Sequence, residues 1–168
     1  MTLLLHLPAQ HLPSARRGAP RLHVDRIELP PGTRESRPES QTQLDAAARE
    51  ADVVRLRHTA AVPSDGALAR VIALLEATLD EVGRARSAVR VALELQVAVV
   101  ADAAAITRKR TELGHLDALA GLSWSPSATW VVTTAERLVD DVLAAAAPLE
   151  VDDVVLLPLG ELAAHTVR

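Results

Sequence analysis

The sequence predicts an α/β protein built of strand–helix units around a mostly parallel sheet. From residue 42 onward, stretches of period-two apolar alternation take turns with stretches of helical apolar spacing. The helical stretches have the length that crossover connections between parallel strands require. Residues 8–41 differ: they hold six of the ten prolines amid Arg, Ser and Gly, which predicts irregular backbone. The chain therefore divides into an irregular N-terminal segment over 1–41, with one or two strands, and an α/β domain over 42–168.

Residues 1–7 are apolar but short, with no basic stretch before them. His6, Pro8 and Gln10 interrupt them, so they read as a strand rather than a signal peptide. Leu22 and Val24 alternate, and Ile27 and Leu29 do so one register later. This fits either a strand with a bulge or an extended edge segment. Pro30-Pro31-Gly32 marks a turn, and 32–41 read as a loop. A short helix over 43–50 leads into a strand over 52–57 carrying Val53, Val54 and Leu56. Pro63 and Ser64 stop one element and cap the next, whose Leu68, Val71, Ile72, Leu75, Leu79 and Val82 share a helix face. Gly83 sits where that helix must end.

Residues 89–100 alternate Val89, Val91, Leu93, Leu95, Val97 and Val99 with Arg90, Ala92, Glu94, Gln96 and Ala98. This is a long strand whose last part, apolar on both faces, is the more buried. Asp102 is placed to cap a helix running to about residue 119. Ile106, Leu113, Leu116 and Ala120 give it a thin apolar stripe, and Gly121 ends it. Residues 129–132 read as a short strand. Thr133 and Glu136 have the spacing of a capping box, and Leu138, Val139, Val142, Leu143 and Ala146 form the inner face of the next helix, which Pro148 stops. A last strand falls at 154–157, and a final helical turn begins at Gly160.

Composition removes several functions. The net charge is −4, Lys109 is the only lysine, and Trp124 and Trp130 are the only aromatic residues. A nucleic-acid partner has neither a basic field nor stacking platforms here. Without cysteine there are no disulfides, thiolate nucleophiles or thiolate metal sites. No run reaches the roughly 20 apolar residues that span a bilayer, so the expectation is a cytoplasmic protein with no membrane partner. The core must be built from Leu, Val, Ile and Ala.

Four stretches follow one another in a set order: Leu44-Asp-Ala-Ala-Ala-Arg-Glu-Ala-Asp-Val-Val54, Val97-Ala-Val-Val-Ala-Asp102, Leu116-Asp-Ala-Leu-Ala-Gly-Leu-Ser-Trp124 with 129–136, and Glu150-Val-Asp-Asp-Val-Val-Leu-Leu-Pro158. In order and wording they resemble the C-terminal part of the luciferase-like flavin monooxygenases, nearest the nitrilotriacetate and alkanesulfonate monooxygenase type. The first is similar to that family's helix followed by an Ala-Asp-Val-Val strand, and the second to the end of its next strand. The third resembles the step ending in Gly-Thr-Pro-Glu, and the fourth the Gly-x-Asp-Gly-Phe-x-Leu-x-Pro strand. The resemblance covers about residues 44–160 and implies a partial, half TIM-barrel-like set of βα units. It also implies flavin-dependent oxidoreductase chemistry, with FMN or a deazaflavin as cofactor, if a partner completes the pocket. The family's first half has no counterpart here beyond an echo of its first strand in residues 2–7. Gly-Thr-Pro-Glu has become Val132-Thr-Thr-Ala-Glu136, and Asp-Gly-Phe has become Asp152-Asp153-Val154, so glycines that let backbone approach a ligand are replaced. The alternative is a non-catalytic half-barrel acting as a homo-oligomer or as an accessory subunit of a complete homologue, since an incomplete barrel leaves edge strands and apolar sheet uncovered. A further alternative is a remnant without function.

The candidate cofactor-binding residues are Gly32, Thr33, Arg34, Ser36 and Arg37, where Arg can grip phosphate oxygens next to a helix start; the competing reading is a solvated loop. His6, His11 and His23 match no metal-ligand spacing. The pairs Asp140/Asp141 and Asp152/Asp153 and the run Arg108-Lys109-Arg110 read as solvated charges. Trp124 and Trp130 either anchor a partner or pack over the sheet edge. No catalytic trio can be assembled from the sequence.

Overall fold

A computed structural model describes residues 18–159 of the chain. The expected strand at 1–7, His6, His11 and the final helical turn lie outside these residues. The described part is an α/β fold with a wholly parallel sheet. Its strands are β1 Arg21–Val24, β2 Glu35–Ser36, β3 Val53–Arg57, β4 Arg90–Val100, β5 Val131–Thr134 and β6 Asp153–Pro158. The helices are α1 Gln41–Glu50, α2 Asp65–Glu81, α3 Ala103–Leu119 and α4 Leu138–Ala146.

Local chemistry starts and stops these elements. Ser40, Ser64 and Asp102 each accept a hydrogen bond from a first-turn amide of α1, α2 and α3. After α2 and α3 the chain turns at Gly83 (φ +70°) and Gly121 (φ +62°), conformations that cost a side-chain-bearing residue roughly 1–2 kcal/mol. Two expectations shift. The last short strand begins at Val131 because Pro126–Thr129 forms a single 3₁₀ turn. Thr133 belongs to that strand and caps nothing: Arg137 precedes α4 without a side-chain cap, and the Thr133 hydroxyl donates to Asp141 instead. Val139, expected inside, is exposed. The loop at 32–41 contributes the two-residue strand β2.

The sheet order is β1-β6-β4-β3-β2, and β5 also pairs with β4. β3 pairs with β4 as far as Glu94, and β5 pairs with it from Val97. Val97 also pairs with Pro158 of β6, so β5 must lie on the β3 side of β4. β5 thus continues the line of β3, and a gap opens beside Leu95 and Gln96.

This order decides where the helices go. Crossovers between parallel strands are right-handed, so a step in one direction across the sheet puts its helix on one face, and a step back puts it on the other. α1, α2 and α4 serve steps in one direction. Their Leu44, Leu68, Leu75, Leu79, Leu138 and Val142 pack on Val54, Leu56, Val91, Leu93, Leu95, Val97, Val154 and Leu156. Each fully buried Leu or Val there contributes about 1.5–3 kcal/mol. The step from β4 to β5 runs the other way. α3 accordingly packs on the opposite face, where Leu113 and Ile106 meet Ala98, Val100 and Val132.

That second face is otherwise polar. Among the described residues, Ile27, with Leu29 beside it, covers Val53, Ala92 and Val155. Asp153, fully buried, takes a two-pronged grip from Arg90 (2.9 and 2.7 Å), a hydrogen bond from the His23 ring (2.9 Å) and an ion pair with Arg21 (3.1 Å). Further along, buried Arg55 pairs with buried Glu94 and with Glu35. The expectation that Asp152 and Asp153 are solvated therefore fails: Asp153 holds this network, and Asp152 accepts from Arg86 and from the Val91 amide.

Candidate functional site at the strand ends

In parallel α/β sheets, ligands bind beyond the carboxyl ends of the strands, where successive connections leave for opposite faces. Here that place is the gap between the end of β3 and the start of β5. A cavity of about 680 Å³ opens there between the starts of α2 and α4 and the side of α3, and one of about 300 Å³ lies beside Gln96. Leu95 lines the first and Gln96 the second, as alternation along β4 demands. His58 and Thr129 line both.

His58 follows β3 directly. Its side chain is 6% exposed, and its Nε2 hydrogen-bonds to Asp65 Oδ1 at 3.0 Å in the first turn of α2. α4 brings Arg137 and Asp141 to the larger cavity, and α3 brings Ile106 and Arg110. Asp141 is held below the usual aspartate range, chiefly by the Thr133 hydroxyl and then, against the opposing effect of burial, by Arg137 and Arg110. Arg137 pairs with Asp141 at 2.9 Å, whereas Arg110 makes no hydrogen bond or ion pair among the described residues. Trp130 lines the larger cavity and Trp124 the smaller. The loop bearing Trp124 is fixed by Asp117, which accepts from the Ser127 amide (3.1 Å) and hydroxyl (2.7 Å).

The sequence-derived phosphate candidates do not converge. Gly32 adopts φ +86° in an exposed turn, where Thr33 Oγ1 donates to the Pro30 carbonyl. The Arg34 amide donates to Asp52, and Ser36 lies in β2. Arg37 leans the other way, toward Glu94 (3.2 Å) and Glu35 (3.6 Å). His58, Asp65 and Arg137 were missed because no local motif marks them. His58 and Asp65 meet across the short connection from β3 to α2, and the sheet order brings Arg137 to the same cavity. Among the described residues no cluster of three or more His, Cys, Asp or Glu could hold a metal ion, and no helix is long and apolar enough to cross a membrane.

No protein-family model and no curated protein matches the chain. Solved structures do share its fold. A riboflavin lyase, crystallised with modified FMN and its substrate riboflavin, aligns with a TM-score of 0.55 at 13% identity, over 74% of this chain and 38% of its own. The EDTA monooxygenase of Chelativorans sp. BNC1 aligns at 0.54 and 16% identity, over 79% of this chain and 42% of its own. A long-chain alkane monooxygenase aligns at 0.54 and 13% identity, over 79% and 37%. The chain thus spans about two-fifths of the length of these enzymes, and what it shares with them is the fold.

Proposed function

We propose that the chain is a shortened relative of the luciferase-like flavin monooxygenases, of nitrilotriacetate or alkanesulfonate type, working in the cytoplasm on a flavin at the strand ends. A second copy or a partner chain would complete the pocket. The observation that carries this reading is the pair of cavities meeting at His58, just beyond the carboxyl end of β3, in a fold shared with a riboflavin lyase crystallised with modified FMN.

The residues present suit such a group. Trp124 and Trp130 offer aromatic walls, Ile106 and Val132 an apolar one, and Arg110 a guanidinium for a phosphate. The cavity volumes fall at the scale of cofactor sites. The charged face around Asp153 suits it less, because paired side chains fill the space there. When bound, a flavin would supply the redox chemistry, while the protein orients it and keeps water away.

Titrating the protein with FMN, read by flavin absorbance and fluorescence, tests the reading. Micromolar binding that weakens about tenfold in Arg110→Gln is the expected result. No binding would overturn it.

A non-catalytic homo-oligomer or accessory subunit is favoured by a different feature: Leu116, Leu119 and Leu122 are 52%, 70% and 52% exposed at the end of α3. Light scattering should then give a dimer that Leu119→Glu dissociates, and a monomeric wild type would sink that reading.

A further inference from the structure

We infer that His58 is the acid–base group of the strand-end site and that Asp65 is its positioning residue. The inference rests on the placement of the site at the gap between β3 and β5, not on the ligand being a flavin.

Three features support it. The His58 side chain is almost wholly enclosed, yet it lines both cavities. One ring nitrogen, Nε2, is engaged by the Asp65 carboxylate at 3.0 Å. The other, Nδ1, has no partner among the described residues. A carboxylate on one ring nitrogen fixes the neutral tautomer with its proton on that nitrogen and leaves a lone pair on the other. Nδ1 is then the base that takes a proton from an O–H or N–H of a ligand in the cavity, and imidazolium returns it.

The remaining charges around the ring do not replace Asp65. In the larger cavity Asp141 is taken up by Thr133 and Arg137, and Arg110 repels rather than orients a cationic ring. In the smaller cavity, Glu94 is taken up by Arg55 and Arg37, and Arg57 by Glu39. His23, by contrast, gives its Nε2 to the buried Asp153 network away from both cavities.

Diethyl pyrocarbonate tests this on the full chain. A bare imidazole nitrogen attacks one of its carbonyls, ethyl carbonate leaves, and the proton on the other ring nitrogen is lost to the adjacent base. Peptide mass spectrometry then reads each of the six histidines separately. His58 should be modified faster than His23 despite its enclosure. Asp65→Ala should slow it severalfold, and Asp65→Glu should restore much of the rate. In long-range ¹⁵N–¹H spectra neutral His58 should carry its proton on Nε2, and Asp65→Ala should yield a tautomer mixture.

A His58 slower than His23, or a proton on Nδ1, would overturn the inference. FMN added beforehand separates it from the flavin reading: protection of His58 supports both, and rapid modification without protection supports the acid–base pair while counting against flavin.

Discussion

Replacing Asp153 by alanine should be among the most damaging single changes in the chain. The carboxylate is fully buried and holds Arg90 through two hydrogen bonds, His23 through one and Arg21 through an ion pair. Removing one partner of a buried ion pair costs about 3–5 kcal/mol, because the other charges stay behind uncompensated. Arg21 is 62% exposed and can turn to solvent, but Arg90 and His23 are mostly enclosed, so about 3 kcal/mol is expected. With an m-value of about 2 kcal/mol/M, the urea midpoint followed by circular dichroism should fall by roughly 1.5 M. The same group makes an acid limb. Burial would raise its pKa, but hydrogen bonds from Arg90 and His23 and the charges of Arg90 and Arg21 more than offset this and hold it below the ordinary 3.8. The contribution is therefore complete above about pH 4 and is lost as pH falls through the folded-state value, the range in which only the unfolded chain binds the proton. Asp153→Asn should flatten that limb. A midpoint change under about 0.5 M, or an unchanged acid limb, would refute the reasoning.

Two further changes probe the elements that frame the site. Glu150 sits at φ +49°, a left-handed conformation that strains a side-chain-bearing residue, so Glu150→Gly should raise stability by about 0.5–1 kcal/mol in thermal melts while Glu150→Ala should not. Thr133→Val removes the main hydrogen bond depressing Asp141, so the Asp141 titration followed by NMR should move up toward 3.8, with a stability loss of about 1 kcal/mol.

What the sequence made legible was local. Ser64 and Gly83 bound α2 because cap chemistry acts within one turn, and the alternation over 89–100 marks β4 because its faces meet different surroundings. The register between β4 and its neighbours was not legible. Nothing within residues 126–134 tells that β5 continues the line of β3, and without that the gap and its cavities cannot be placed. Two positions of the resembled pattern are glycines. Glu150 stands at the first of them and adopts a left-handed backbone, the conformation suited to glycine. Asp153 stands at the second glycine of that pattern, and its carboxylate holds Arg21, Arg90 and the His23 ring on a face that a glycine would leave open. An isolated Asp-Asp pair reads as solvated because the partners, at positions 21, 23 and 90, are distant in sequence.

The reversal at β5 leaves α3 with less apolar anchorage than α2. α1, α2 and α4 share one apolar sheet face, but α3, forced to the other, meets the ends of β4 and β5 and the Pro126–Thr129 turn. Of its 17 residues Leu113 alone is buried, and its remaining leucines, Leu116 and Leu119, face solvent. One buried leucine offers about 1.5–3 kcal/mol, little against the conformational entropy of ordering five turns. Native-state hydrogen exchange should show α3 amides opening several kcal/mol below those of α2, which buries Leu68, Ile72, Leu75, Thr78 and Leu79. Leu113→Ala should release α3 further while leaving protection in β4 and α2 near wild type. Equal protection in α2 and α3 would mean that α3 is held by something other than this contact. Ile106 and Arg110 of α3 line the larger cavity, so the handedness rule that sends α3 across the sheet also places this weakly buried helix in the wall of the candidate site.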